Sequence, residues 1–173
     1  VDYSESSIIY ANRNNLKEVS TLNDLRRQLK PTAQEATAWT RAQSWIYGEG
    51  LTYARISEGA IDLLQNLIDF GWRISVFSHK TSLGPLEHGA VPFVSHMLSW
   101  IEKNKLNQYF THNKNLFFYS DLDLKIDGIR KANLDSYVDD LPKVFSHSNY
   151  PRSIRSFLYK SNYVDIPWAK PID

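Results

Sequence analysis

From residue 57 onward the sequence alternates between two periodicities, and that alternation restricts the fold more than any other feature. The stretch SEGAIDLLQNLIDFG (57–71) repeats apolar residues at Ile61, Leu64, Leu67 and Ile68, the spacing of a helix. Ser57 stands where a helix is capped and Gly71 where one stops. RISVFS (73–78) follows with strand character. VPFVSHMLSWIEKNKL (91–106) then places Pro92 near a helix start, with Phe93, Met97, Leu98 and Ile101 on one face. NLFFYS reads as a strand, LKIDGIRKAN as a short helix, SYVDD as a strand and SIRSFLY as the last strand. Helices set between short apolar strands predict βαβ units and an α/β fold, a three-layer doubly wound parallel sheet of Rossmann-like kind.

The first 55 residues lack this alternation. TLNDLRRQL and TAQEATAWTRAQSWIYG predict two helices, the second opened by Thr32 and Glu35 at capping-box spacing. Ala36, Trp39, Ala42, Trp45 and Ile46 form its apolar stripe. We expect residues 13–52 to be a small helical cap inserted into an α/β core made of 1–12 and 53–173. At 173 residues the chain can bury a sizeable core.

The net charge of +1 argues against nucleic acid or a membrane surface as a partner. With no cysteine, thiol nucleophiles, disulfides and Cys-ligated zinc are excluded. No stretch approaches the about 20 apolar residues of a membrane span, and a soluble, cytoplasmic protein is expected. The five histidines have no spacing typical of a metal set. The oligomeric state is not legible.

Ligands of open α/β sheets gather at the carboxyl ends of the strands. RISVFS ends on Ser78, followed by His79 and Lys80; SYVDD ends on Asp139 and Asp140; Lys125 begins the helix after NLFFYS. Ser78 and a lysine suit a phosphate. Two adjacent carboxylates suit Mg²⁺, which keeps most of its waters. A helix N-terminus explains one carboxylate better than two. Lys80 and Lys125 can also be read as solvated lysines, and Ser78 as a turn residue. His79 lies close enough to touch a substrate.

At VFSHKT, LDLKIDGI and YVDDLP the chain resembles the haloacid dehalogenase-like hydrolases. The resemblance spans about residues 20 to 160. It implies a Mg²⁺-dependent phosphatase acting on a small phosphorylated metabolite through an aspartyl-phosphate. On that pattern Ser78, His79 and Lys80 bind substrate, Lys125 is catalytic, and Asp139 and Asp140 hold Mg²⁺. The family's Asp-x-Asp nucleophile motif is absent. One register over VDYSESSIIY matches Asp2, Ser4 and Ser6 to it, making Asp2 the nucleophile without an acid/base; another places Tyr3 and Glu5 there and loses the nucleophile. Neither leaves a full apolar strand ahead of the motif. Two functions therefore stay open: an impaired phosphatase, or an inactive domain that binds a phosphorylated ligand or a protein partner. A response-regulator receiver is disfavoured, since its acidic pair comes first and its lysine last.

Overall fold

The computed structural model describes residues 1–29, 33–79, 92–110, 114–159 and 169–172. Lys80, Thr32 and the side chains of Glu35 and Ala36 lie outside them. The chain divides into two compact units, Val1–Val76 with Thr81–Leu116, and Phe77–Lys80 with Phe117–Asp173. Among the described residues, no helix is long and apolar enough to cross a membrane.

The first unit is helical. Its elements are α1 (Ser4–Arg13), α2 (Leu22–Gln28), α3 (Ala33–Tyr47), a 3₁₀ turn at Glu49–Tyr53, α4 (Ala60–Asp69), α5 (Phe93–Lys103) and a second 3₁₀ turn at Leu106–Phe110. Residues 4–13, weighed in the sequence as a strand-end motif, are helical. Asp2 starts the turn by accepting the Ser4 N–H and hydroxyl on Oδ1 at 2.9 and 2.7 Å, an Asx-type arrangement that favours helix entry. Tyr10, Ala11, Leu25, Ala42 and Ile46 form a buried cluster joining α1, α2 and α3. The 13–52 stretch thus shares one core with α1.

α2 starts on a reciprocal capping box between Thr21 and Asp24. α4 starts on Gly59, at φ +70°, rather than on Ser57. It ends as the sequence predicts: Gly71, at φ +79°, donates to Ile68 O at 2.8 Å, and Trp72 N–H reaches Leu67 O at 2.9 Å, a Schellman closure. Ile61 and Ile68 of its expected core face are nevertheless exposed, as are Phe70 (81%) and Trp72. Helical periodicity sets which face is apolar, not what covers it.

The second unit carries the strands. β1 (Val76–His79) pairs with β2 (Leu116–Tyr119); β3 (Ser136–Asp139), β4 (Arg155–Tyr159) and β5 (Ala169–Ile172) form a parallel ladder in that order. β5 lies beyond SIRSFLY, expected to be the last strand. α6 (Leu122–Lys131) runs between β2 and β3, and α7 (Pro142–Phe145) follows β3. One apolar cluster serves both ladders: Phe77, Ile126, Ile129, Tyr137, Val144, Phe145, Tyr150, Ile154 and Leu158. Among the described residues β1 and β3 are not joined in one ladder. The described residues are mixed helix and strand with two small ladders, which do not establish the single three-layer sheet expected from the alternation of helices and strands.

Gly128 lets α6 approach β2. A Cβ at this position would collide with the Tyr119 hydroxyl and ring. Gly128→Ala should therefore destabilise the protein by about 1–3 kcal/mol, the usual cost of overpacking. In a Tyr119→Leu background the same change should instead stabilise it by about 1 kcal/mol, the helix propensity of alanine over glycine. Denaturant melts of the four proteins check the reversal of sign.

Candidate functional site

α6 is opened by Asp121, whose Oδ1 accepts the Leu124 N–H at 2.8 Å. From this start Leu122, Lys125, Ile126 and Ile129 fall at i, i+3, i+4 and i+7, the spacing of one helix face. Ile126 and Ile129 enter the core, and Lys125 enters with them. Lys125 is therefore not one of the helix's solvated lysines: its side chain is 5% exposed. The outer face is held by Asp127, paired with Arg130 at 2.6 Å and Lys131 at 2.5 Å.

A buried ammonium needs a counter-charge. It comes from the end of β3, where Lys125 Nζ lies 2.6 Å from Asp139 Oδ2, the Asp139 side chain being 6% exposed. Tyr137, two residues earlier and so on the same face of the strand, donates its hydroxyl to the same oxygen at 2.9 Å. Asp139 Oδ1 accepts the Leu141 N–H at 2.9 Å, which turns the chain out of β3 toward α7. The ammonium also stands 5.9 Å from the centre of the Tyr137 ring. Burial, and next the charge on Asp139, push the Tyr137 hydroxyl far above its ordinary range, so it stays protonated and acts as a donor.

Asp140 is the odd charge of the group. Desolvation raises its carboxyl above the ordinary value of 3.8, and the charge of Asp139 adds to the rise. Lys125 balances one carboxylate, so ionising both leaves an excess negative charge at the carboxyl end of β3. A cation would relieve it. The donor set fits Mg²⁺, which binds through one or two carboxylates and retains its waters. A carboxylate has about four lone-pair sites, so Asp139 keeps acceptor capacity beside its three donors. Among the described residues no group of three or more His, Asp and Glu converges, so any such site is the Asp139–Asp140 pair completed by water.

Ser78 and His79 end β1, Ser78 half-buried and His79 exposed. They belong to the same unit as Lys125, Asp139 and Asp140, and the residue before them, Phe77, packs edge-to-face on Tyr137 at 6.2 Å. Lys80 lies outside the described residues. Asp2 belongs to the other unit, where its carboxylate caps α1 and its backbone bridges Arg55.

Three features of this site were not read from the sequence. Tyr137 is the first, although a residue two before Asp139 on one strand must share its face. The second pairs Tyr150 with Ser156, hydroxyl to hydroxyl at 2.7 Å, while Ser156 donates to Ile154 O at 3.1 Å. The third links His147 Nε2 to Asp123 at 2.8 Å while Nδ1 accepts the Asn149 N–H. Both ring nitrogens of His147 are thus engaged, which leaves no lone pair for proton transfer.

Removing one member of the buried pair strands the other, at a cost of about 3–5 kcal/mol. Lys125→Met should destabilise by that amount, and Lys125→Met with Asp139→Asn by clearly less than the single change; urea melts check the non-additivity. Asp140 has the opposite sign. Its raised pKa means the folded chain holds that proton more tightly than the unfolded chain. The corresponding stability is fully present below 3.8 and is lost as pH rises through the raised value. Asp140→Asn should therefore raise Tm near pH 7 and leave it unchanged near pH 3.

No family model, no curated protein and no solved structure matches this chain.

Proposed function

We propose that the chain is a haloacid dehalogenase-like phosphohydrolase domain of α/β architecture, with Mg²⁺ and a phosphoryl group as its ligands and a small phosphorylated metabolite as its substrate class. The observation that carries this reading is the junction of Lys125 and Asp139 beside the raised carboxyl of Asp140. Phosphoryl transfer rests mainly on positioning and on neutralising charge, and this group supplies both signs of charge at one strand end. Bound at Asp139 and Asp140, Mg²⁺ would neutralise phosphoryl oxygens. Lys125 is held by Asp139, so its ammonium is positioned. The Ser78 hydroxyl donates a hydrogen bond to a phosphoryl oxygen, and His79 and Lys80 contact the rest of the substrate.

A second reading, a domain that binds a phosphorylated ligand or a protein partner without turnover, is favoured by Asp2. The family's nucleophile ends a strand, whereas Asp2 stands at the start of a helix, its Oδ1 taking two hydrogen bonds from Ser4 as α1 begins. The neighbouring acid/base position carries Ser4 or Glu5. A serine hydroxyl cannot shuttle protons at neutral pH, and general acid–base help is worth about 10² to 10⁴ in rate.

Millimolar Mg²⁺ should raise the Tm of the wild-type chain, because a ligand bound only to the folded state stabilises it. Asp140→Asn should abolish that rise while the protein stays folded by circular dichroism. Identical melts with and without Mg²⁺ would remove the metal from the proposal. Steady-state hydrolysis of sugar phosphates should be negligible for residues 1–173. Brisk Mg²⁺-dependent turnover that Asp2→Asn abolishes would decide for the enzyme and against the binding domain.

A further inference from the structure

We infer that a cavity in the first unit, between the 3₁₀ turn at Glu49–Tyr53 and α5, is a binding site for a free α-amino acid with an apolar side chain. The site is independent of the phosphoryl reading, because its residues all belong to the unit that lacks Lys125, Asp139 and Asp140. Its volume is about 380 Å³, at the small end of the range in which proteins hold small molecules.

Both walls are held in place by the fold. The fully buried Ser6 hydroxyl donates to Gly50 O at 2.8 Å and fastens the turn to α1. Gly50 lies so near Trp45 of α3 that a Cβ there would overlap the indole ring. On the opposite wall, Trp100 Nε1 donates to Ala54 O at 3.1 Å, which ties α5 to the residue that closes the turn. A site carried on elements fixed in this way needs little ordering when a ligand binds.

The lining divides by chemistry. Leu51 and Trp100, 2% and 5% exposed, give an apolar floor. On α5, His96, Ser99, Trp100 and Lys103 recur at i, i+3, i+4 and i+7 and therefore share one face. That face brings an imidazole, a hydroxyl and an ammonium to one side of the floor, and the turn brings the Glu49 carboxylate and the Thr52 hydroxyl to the other. Among the described residues, none of these five polar side chains has a hydrogen-bond or ion-pair partner. Glu5 and Arg55 of the same unit, by contrast, are paired at 2.7 Å.

Two opposite charges left open around an apolar floor match a small zwitterion with an apolar body. The α-carboxylate accepts from Lys103 and Ser99, and the α-ammonium donates to Glu49 and Thr52, each charged contact being a charge-assisted hydrogen bond. The side chain lies on Leu51 and Trp100. His96 can give or take a further hydrogen bond through its ring nitrogens. An anion alone would meet Glu49 unmatched, a cation alone would meet Lys103 unmatched, and an apolar ligand would use neither.

The test titrates the 173-residue chain with L-leucine and follows the backbone amides of 48–54 and 96–103 by NMR. Isocaproate, which lacks the ammonium, and isoamylamine, which lacks the carboxylate, are the controls. We expect L-leucine to shift these amides with a Kd on the order of 1 mM, as suits a ligand of so few atoms, and each control to bind about tenfold more weakly. Glu49 and Lys103 are exposed, so Glu49→Gln and Lys103→Met should keep the wild-type circular dichroism. Each should weaken L-leucine about tenfold, Glu49→Gln leaving isocaproate and Lys103→Met leaving isoamylamine unaffected. The inference is overturned if L-leucine at about 20 mM, well above that Kd, shifts none of these amides. It is equally overturned if L-leucine binds no better than either control, or if both variants bind it as the wild type does.

Discussion

The second unit depends on the buried contact between Lys125 and Asp139. An ammonium and a carboxylate with almost no solvent access cannot be left unpaired, so each fixes the position of the other. The pair ties α6 to the end of β3, and Tyr137 and the Leu141 N–H also donate to Asp139. Around this polar point the core is aromatic: Tyr137 packs on Phe77, Phe145 and Tyr150. A charge pair inside an aromatic shell stabilises little relative to an apolar substitute, but removing one partner alone strands the other charge.

That constraint also shapes what Asp140 can do. With Lys125 committed to Asp139, the adjacent carboxylate has no cation of its own and its proton is held more tightly. The question of why an apolar strand ends on two like charges then has a physical answer. The first aspartate is paired inside the fold, and the second carries the unbalanced charge. The roles are divided between neighbours, which is why substituting either one probes a different property.

Much of the second unit was legible one element at a time. The strands at 116–119, 136–139 and 155–159 fall inside the predicted apolar runs, the strand at 76–79 overlaps RISVFS and ends one residue beyond it, and α6 coincides closely with LKIDGIRKAN. Asp139, Asp140 and Ser78 were legible as strand-end residues because side-chain alternation and strand termini are local properties. Lys125 was legible as a candidate but not as buried; its register with Ile126 and Ile129 held that signal. The first unit was less legible. An Asx turn at Asp2 makes a helix of a stretch that composition left ambiguous, and Gly59 rather than Ser57 caps α4.

The sequence by itself determined where helices and strands alternate, where helices stop, which chemistries a cysteine-free chain of nearly neutral charge excludes, and which polar residues end the strands. These rest on backbone propensity and periodicity, which act over a few residues. Only the tertiary structure decided that Lys125 and Asp139 neutralise each other, that Tyr137 is a donor to the pair, and that Asp2 accepts hydrogen bonds at the start of a helix in a different unit. Those outcomes depend on which groups share a low-dielectric interior and which backbone groups find partners across long sequence separations, and no local pattern encodes either.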